Sequence, residues 1–295
     1  MNSPADAAPL LQPQTALLAS AFPWQRVVLA DGSQLSVRRR GDAGAPAVVL
    51  LHGISSGAAS WLHTALALDG LQVVAWDAPG YGESTPLPAA APRDTDYAER
   101  LQGLLQALDL DRVLLAGHSL GALMAAAHAR TYGMERVRRL VLISPAGGYG
   151  QAGNEAASAR VQRERLAALE QYGVAGLAAK IDQRLLSAGA TPAQRAWVRW
   201  NTARLQPDGY RQAVALLAGS DLGAAQGIAT PVEVHCGEAD VVTPPAACQG
   251  WAERLGAPYA AIPGAGHASP IEQPQAVARL IREACARIQG DTHHG

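Results

Sequence analysis

Short apolar segments alternate with segments of helical period along most of this chain, and no other sequence feature restricts the fold as strongly. Leu101, Leu104 and Leu108 have the spacing of one helix face, and this helical stretch lies between two apolar segments. Strands that helices cover on both faces of a parallel sheet are almost wholly apolar. Four segments have that character: residues 45–51, 71–76, 112–116 and 137–143. The alternation therefore predicts an α/β fold with helices on both sides of a mostly parallel sheet.

The alternation stops between residues 146 and 230, which contain no convincing strand, and it resumes afterwards. Thr191-Pro192 predicts a helix start in this region, because threonine is a frequent N-cap and proline a frequent first helical residue. The opening of the chain is rich in proline, alanine and glutamine without a clear period and predicts a loosely held arm. We therefore expect an N-terminal arm (1–24), a discontinuous α/β core (25–145 and 231–290) and a helical cap (146–230).

The sequence Gly117-His-Ser119-Leu-Gly121 lies directly between a predicted strand and a predicted helix. A serine at such a sharp turn adopts a strained backbone, and the turn closes only if the residues two before and two after it are small. Gly117 and Gly121 meet that requirement. The pattern predicts a nucleophilic serine, Ser119, exposed above the carboxyl ends of the strands.

A serine hydroxyl needs a base, and the base needs a carboxylate that fixes its tautomer. His267 lies in a glycine-rich loop after the last predicted strand, where its ring can reach over the sheet. Asp240 follows another strand and precedes His267, as the order serine, acid, histidine requires, and Glu238 is its rival. Ser119, Asp240 and His267 are thus the predicted catalytic residues.

The tetrahedral intermediate of acyl transfer carries an oxyanion that needs two convergent N–H donors. Leu120 directly follows the predicted nucleophile and supplies one of them by position. The second is expected from the loop after the strand that ends at Leu51, and Ile54 is the predicted donor.

Several motifs together resemble the α/β-hydrolase superfamily. They are, in chain order, Leu51-His-Gly53, Asp77-Ala-Pro-Gly-Tyr-Gly-Glu-Ser84, Gly117-His-Ser-Leu-Gly121, Gly237-Glu-Ala-Asp240 and Gly264-Ala-Gly-His267. The resemblance implies an eight-stranded, mostly parallel sheet flanked by helices, a Ser119, Asp240, His267 triad and a helical cap inserted after the sixth strand. The loop His52–Trp61 is similar to that of meta-cleavage product hydrolases, which split a carbon–carbon bond. The strand-to-helix turn that carries the serine, called the nucleophile elbow, usually reads Gly-Asn-Ser-x-Gly-Gly in those enzymes. In this chain it reads Gly-His-Ser-Leu-Gly-Ala.

The difference in the elbow sequence favours a serine hydrolase that cleaves a small-molecule ester or lactone through an acyl-enzyme. The alternatives that stay open are carbon–carbon hydrolysis of dienoate diketones, perhydrolysis at the same site, and a non-catalytic small-molecule receptor on the same fold. The substrate pocket is expected to draw on aromatic residues of the cap and of the loops above the sheet, together with the histidine of the elbow: Trp61, Tyr81, His118, Trp197, Trp200 and Tyr210. One of the cap arginines is a further candidate, as a clamp for a substrate carboxylate. These arginines are Arg160, Arg163, Arg165, Arg184, Arg195, Arg199, Arg204 and Arg211.

The composition limits the classes of partner that this chain is expected to bind. With 24 basic and 25 acidic residues the net charge is −1, so no basic surface is expected to hold nucleic acid or an anionic membrane. Three cysteines without close pairing predict a reducing compartment such as the cytoplasm. No basic residue precedes Arg26, whereas a secretory signal begins with a positively charged segment, so export is not expected. No stable membrane association, metal or organic cofactor is expected, and the only predicted partner is a small-molecule substrate. The sequence leaves the oligomeric state open.

Overall fold

The computed structural model describes residues 4–290, and within them eight strands form one sheet. The strands are β1 Trp24–Val28, β2 Gln34–Arg40, β3 Ala47–Leu51, β4 Gln72–Trp76, β5 Val113–His118, β6 Val137–Ile143, β7 Val232–Gly237 and β8 Tyr259–Ile262. Their order across the sheet is β1-β2-β4-β3-β5-β6-β7-β8. Strands β3 to β8 are parallel, whereas β1 pairs antiparallel with β2, and β2 with β4.

Helices cover both faces of this sheet. They are α1 Pro4–Ser20, α2 Leu62–Leu66, α3 Asp94–Ala107, α4 Leu120–Tyr132, α5 Glu155–Leu185, α6 Pro192–Thr202, α7 Pro207–Gly219, α8 Pro245–Leu255, α9 Ser269–Glu272 and α10 Pro274–Gly290. Two short 3-10 helices, Ala58–Trp61 and Leu222–Ala225, complete the elements. The predicted α/β fold class, an eight-stranded and mostly parallel sheet flanked by helices, is confirmed.

Alternate residues of the central strands enter two separate apolar layers. In β3, Val49 and Leu51 belong to one buried cluster, and Val48 and Leu50 belong to the other, on the opposite face of the sheet. All five residues of β3 are buried. This two-sided burial explains why the strand reads as a continuous apolar run in the sequence.

The segment between β6 and β7 is helical, as its sequence predicts, and we call α5, α6 and α7 the inserted helices. Helix α5 is broken at Gly173, whose φ of 60° and ψ of 179° lie outside the helical region. Helix α6 starts as predicted, with Pro192 at its first turn and the Thr191 hydroxyl accepting from the Gln194 amide at 3.2 Å. An isolated bridge between Gly148 and Asp221 brings the two ends of the insertion together.

Two of the inserted helices make hydrogen bonds to loops that follow strands of the sheet. On α7, the Gln212 amide nitrogen donates to the carbonyls of Leu87 and Ala89 at 2.6 and 2.8 Å. On α6, the Thr202 hydroxyl donates to the carbonyl of Ser55 at 2.7 Å. Because Ser55 follows Ile54 in the loop after β3, this bond joins an inserted helix to the loop expected to supply an oxyanion donor.

The N-terminal segment differs from its prediction, since residues 4–20 of the expected loose arm (1–24) form helix α1 and residues 1–3 lie outside the described part. Pro9 and Pro13 lie inside this helix, a position that sequence rules treat as helix-breaking. Leu18 and Phe22 are buried in the same apolar cluster as Trp197 of α6. Tertiary packing on α6, which the local sequence does not encode, therefore stabilises the segment.

Within residues 4–290, no helix combines the length and the apolar character that crossing a bilayer demands.

We predict that Gly209→Ala destabilises the protein by about 2 kcal/mol, because a Cβ atom at Gly209 would collide with the carbonyl group of Gly80. This contact joins α7 to the loop after β4, so the chain has to shift where the insertion meets the sheet. Chemical denaturation followed by circular dichroism measures the free energy of unfolding. The matched control is Gly219→Ala in the same helix, where a Cβ meets nothing within 4 Å. Equal stability of the two variants would contradict the prediction.

Candidate active site

Ser119 occupies the turn between β5 and α4, and its backbone has φ 54° and ψ −113°. This conformation is strained for a residue that carries a Cβ atom. The neighbouring glycines make it possible. A Cβ at Gly117 would lie 2.5 Å from the carbonyl oxygen of Gly121, and one at Gly121 would collide with the carbonyl oxygen of Leu51. The small residues that the sequence pattern demands are thus required by close backbone approach.

The His267 ring lies in the loop after β8 and is hydrogen-bonded to a carboxylate. Its Nδ1 atom is 2.8 Å from Oδ2 of Asp240, and both side chains are buried. Ionised Asp240 only accepts hydrogen bonds, so the proton of the pair lies on Nδ1 and leaves Nε2 able to accept a proton. Glu238, the rival acid, is exposed at the start of the same turn and accepts from the Gly264 amide at 3.3 Å. The structure therefore brings Asp240, and not Glu238, to His267.

The turn after β7 holds Asp240 in its charged form. Its Oδ1 atom accepts from the amides of Val242 and Thr243 at 2.7 and 3.0 Å, and its Oδ2 accepts from the Thr243 hydroxyl at 2.9 Å. Burial alone would raise the pKa of Asp240, but the hydrogen bond and charge of His267 and the two backbone amides hold this pKa well below its ordinary value. The carboxylate thus stays ionised beside the imidazole.

Ser119 and His267 line one cavity of about 290 Å³ beneath the inserted helices. Among the hydrogen bonds of residues 4–290 there is none from the Ser119 hydroxyl, and the residue is buried, with an exposed fraction of 7%. Hydrogen bonds between a nucleophile and its base are often long in unliganded enzymes and shorten when substrate binds. The arrangement is that of a hydroxyl that shares one cavity with an oriented base.

The predicted oxyanion donors line the same cavity. Leu120 is the first residue of α4, so its N–H has no partner within the helix, and the positive end of the helix dipole lies at the same place. In the described part of the chain, neither this N–H nor that of Ile54 donates to another backbone group. The Tyr81 hydroxyl donates to the Ile54 carbonyl at 2.8 Å and so helps to fix the loop.

Two other histidines near Ser119 have structural contacts. His52 accepts from the Ala78 amide at Nε2 (3.0 Å), and its Nδ1 donates to the Gly53 carbonyl (2.9 Å). Burial lowers the pKa of His52, and burial together with the nearby His267 lowers the pKa of His118 to about 3. Neutral His118 donates from Nε2 to the carbonyl of His267 at 2.8 Å, and it thereby joins the elbow to the loop that carries the base.

Of the six residues predicted for the substrate pocket, His118 lines the cavity and the five aromatic residues do not: Trp61, Tyr81, Trp197, Trp200 and Tyr210. Trp61 and Trp197 are wholly buried in the apolar layer on one side of the sheet. Trp200 stacks on Trp197, with ring centroids 4.6 Å apart. These three rings stabilise the attachment of α6 by packing against the sheet layer, which is why they do not face the cavity.

The two tyrosines also lie outside the lining of the cavity. Tyr81 lies beneath the loop after β3 and faces a separate polar cavity of about 400 Å³, lined also by Arg38 and Arg204. Tyr210, a residue of α7, is buried against the core, and its hydroxyl accepts from Arg165 at 3.4 Å. Both side chains have their hydroxyl groups in contacts with neighbouring parts of the protein.

Other residues, which the pattern of aromatic positions missed, form the cavity wall. Tyr149 and Gln151 follow the glycine pair after β6, and Trp251 of α8 lies against Gly147, where any Cβ would collide with the indole ring. The glycine pair was a usable signal, since small residues after a strand permit the close approach of a large side chain. Two of the cap arginines singled out in the sequence, Arg165 and Arg184, also line the cavity.

Among residues 4–290, no three His, Cys, Asp or Glu side chains come together in the way that a metal ion would need.

The curated relatives of this chain are hydrolases that match part of it. A 2-hydroxy-6-oxononadienedioate/2-hydroxy-6-oxononatrienedioate hydrolase of Paraburkholderia phymatum is 37% identical over 129 residues, which make up 42% of this chain and 44% of that protein. A similarly described hydrolase of Pseudomonas putida is 40% identical over 114 residues, 37% of this chain and 39% of that one. The chain thus spans less than half of the length of these relatives.

Solved structures match over nearly the whole length. The enol-lactonase from Burkholderia xenovorans superposes with a TM-score of 0.78 and 24% identity, covering 90% of this chain and 100% of that one. A hydrolase from Pseudomonas aeruginosa superposes with a TM-score of 0.75 and 26% identity, covering 92% and 99%. The sequence profile of the alpha/beta hydrolase family matches residues 48–280, from β3 into α10. The resemblance inferred from the motifs is confirmed, and the chain belongs to the alpha/beta hydrolase family.

Proposed function

We propose that this protein is a serine hydrolase that cleaves a small-molecule ester or lactone through an acyl-enzyme on Ser119. The observation that carries the proposal is the Asp240–His267 hydrogen bond of 2.8 Å in a cavity shared with the strained Ser119. A buried histidine whose tautomer is fixed by a carboxylate, next to a serine on a strand-to-helix turn, is the arrangement that activates a hydroxyl. Esters and lactones present the carbonyl that such a hydroxyl attacks.

In the first half-reaction, Nε2 of His267 takes the proton of the Ser119 hydroxyl while Oγ forms a bond to the substrate carbonyl carbon. The N–H groups of Ile54 and Leu120 stabilise the resulting oxyanion, and the loss of one such donor typically costs a hundredfold to about a thousandfold in rate. His267 then gives its proton to the leaving alkoxide, and the carbon–oxygen bond breaks. The alcohol departs, or for a lactone it stays attached to the acyl group.

In the second half-reaction, His267 takes a proton from water, and the hydroxide attacks the acyl carbonyl. A second tetrahedral intermediate collapses to release the carboxylic acid, and the proton returns to Oγ of Ser119. Asp240 stays ionised throughout and stabilises the imidazolium, in keeping with its low pKa.

Carbon–carbon hydrolysis of a dienoate diketone is the second candidate, and the names of the curated relatives favour it. It would use the same serine, acid and histidine after a ketonisation of the substrate. The two activities are separable by experiment: a chromogenic ring-cleavage product loses its visible absorbance on carbon–carbon cleavage, whereas simple esters release an alcohol. Turnover of the ring-cleavage product alone would favour this second candidate.

We further propose that residues 146–230 act as a cap over the site and that the protein works in the cytoplasm on a soluble small molecule. The cap proposal rests on the cavity wall, to which both halves of α5 contribute. The cytoplasmic proposal rests on three buried cysteines without disulfides, Cys236, Cys248 and Cys285, which suit a reducing compartment.

We predict that Ser119→Ala lowers kcat/KM for short esters by roughly 10,000-fold or more, because the nucleophile is lost. The Thr243 hydroxyl cannot replace it, since it lies 3.2 Å from Nδ1 of His267, on the side of the ring that faces Asp240. Ethanol release from ethyl butyrate and acid release from a small lactone provide the assay. Ser220→Ala is the control, since Ser220 is also buried but lies outside the cavity. Unchanged turnover in the Ser119 variant would contradict the assignment and place the nucleophile elsewhere, whereas no turnover in the wild type would favour a binding protein.

We predict that Asp240→Asn lowers kcat by roughly 1,000-fold to 10,000-fold, because an amide favours the wrong tautomer of His267. Glu238→Gln is the control and should keep wild-type activity, since Glu238 lies outside the cavity and has no hydrogen bond to His267. A comparable loss in both variants would contradict the choice of acid.

The same variant tests the charge of Asp240 through stability. Its pKa is lower in the folded protein than its ordinary value of 3.8, so folding favours the ionised form. That contribution is fully present above the ordinary pKa and is lost as the pH falls through the folded pKa. The stability that wild type gains over Asp240→Asn should shrink as the pH falls below about 4. Denaturant titrations between about pH 5 and about pH 2 measure it, and a difference that grows towards acid in this interval would contradict the account.

A further inference from the structure

The arginine and carboxylate groups around the cavity above Ser119 are unevenly represented in its wall, which carries positive charge only. Two guanidinium groups, those of Arg165 and Arg184, line it, and no aspartate or glutamate among residues 4–290 does. The nearest carboxylate of the proposed mechanism, Asp240, lies behind His267 and is paired with it. A ligand in this space therefore meets cationic side chains that no acidic group of the wall neutralises.

Three other arginines of the inserted helices form ion pairs with carboxylates of these helices. Arg199 makes a two-point contact with the buried Asp182 at 2.7 and 2.9 Å, and Arg195 lies 3.6 Å from the same carboxylate. Arg211 pairs with Asp208 at 2.8 Å. Among residues 4–290, Arg184 and Arg165 have no such ion pair, and the only polar contact of Arg165 is the 3.4 Å one with the Tyr210 hydroxyl.

The shape of α5 explains why both arginines face the cavity. Ile181, Arg184 and Leu185 are spaced by three and four residues, so they share one helix face, and all three line the cavity. Arg165 lies before Gly173, where the helix breaks, and the break turns the two halves of α5 so that both border the same space. The path of the helix thus brings both arginines to the cavity, where Arg165 is half-buried and Arg184 is exposed.

We propose that the substrate carries a carboxylate, which Arg184 and Arg165 bind while its ester or lactone carbonyl lies at Ser119. This inference rests on the proposed function and deepens it, because it names the substrate class. A guanidinium donates two parallel hydrogen bonds to a carboxylate, and the apolar neighbours Ile181 and Leu185 strengthen such a contact by excluding water. The volume of about 290 Å³ lies at the small end of ligand pockets and suits a short acid.

The test compares half-esters with neutral esters of the same length. Monoethyl succinate, glutarate and adipate differ from ethyl butyrate, pentanoate and hexanoate only in a terminal carboxylate that replaces a methyl group. Ethanol release measures kcat/KM for each pair with the wild-type protein. We expect a preference for the half-ester at one or more chain lengths, because only the charged end can bind the arginines.

In Arg184→Gln and Arg165→Gln we expect kcat/KM for the preferred half-ester to fall by about tenfold to a hundredfold, since a hydrogen bond to a charged group is lost. Turnover of the neutral partner should fall by much less, so the ratio between the two esters should drop. Arg184→Lys keeps the charge and should retain part of the preference. The control is Arg163→Gln, an exposed arginine of α5 outside the cavity, which should leave both esters unchanged.

The outcomes separate this inference from the proposed function. If wild type hydrolyses neutral esters through Ser119 but shows no preference for any half-ester, the carboxylate inference is wrong and the proposed function stands. The inference is equally wrong if the preference survives both glutamine variants. If wild type hydrolyses none of these esters, the proposed ester hydrolysis fails, and the inference fails with it.

Discussion

The close approach of backbone at the turn after β5 is the constraint on which the rest of the site depends. Ser119 has a positive φ there because Gly117 and Gly121 allow the chain to pass near itself and near Leu51. The same turn presents the Ser119 hydroxyl to the cavity and leaves the first N–H of α4 without a helical partner. Nucleophile and oxyanion donor are thus consequences of one piece of backbone geometry.

Electrostatics then distinguishes the histidines around this turn. His52 and His118 are buried without a carboxylate on their rings, so burial lowers their pKa values and they remain neutral contacts within the loops. His267 has the buried, ionised Asp240 on Nδ1. One fold therefore holds two histidines as structural groups and a third as a base, and the difference lies in what each ring nitrogen contacts.

The sequence predicted those parts whose cause is local. Alternating apolar runs locate the strands, and the elbow glycines and the order of Ser119, Asp240 and His267 identify the residues that the structure brings together. Two predictions failed because tertiary packing decided them. Trp197 and Trp200 lie on the inserted helix α6, but the packing of that helix against α1 and the sheet buries or stacks their rings. The N-terminal arm is helical for the same reason.

The central claim is that Ser119 is an activated nucleophile. The most direct measurement is the mass of the intact wild-type protein after exposure to a fluorophosphonate, followed by mapping of the modified peptide. The account predicts one adduct per chain, located on Ser119 and absent when His267 is replaced by alanine. No adduct on the folded protein, or an adduct on another residue, would contradict it.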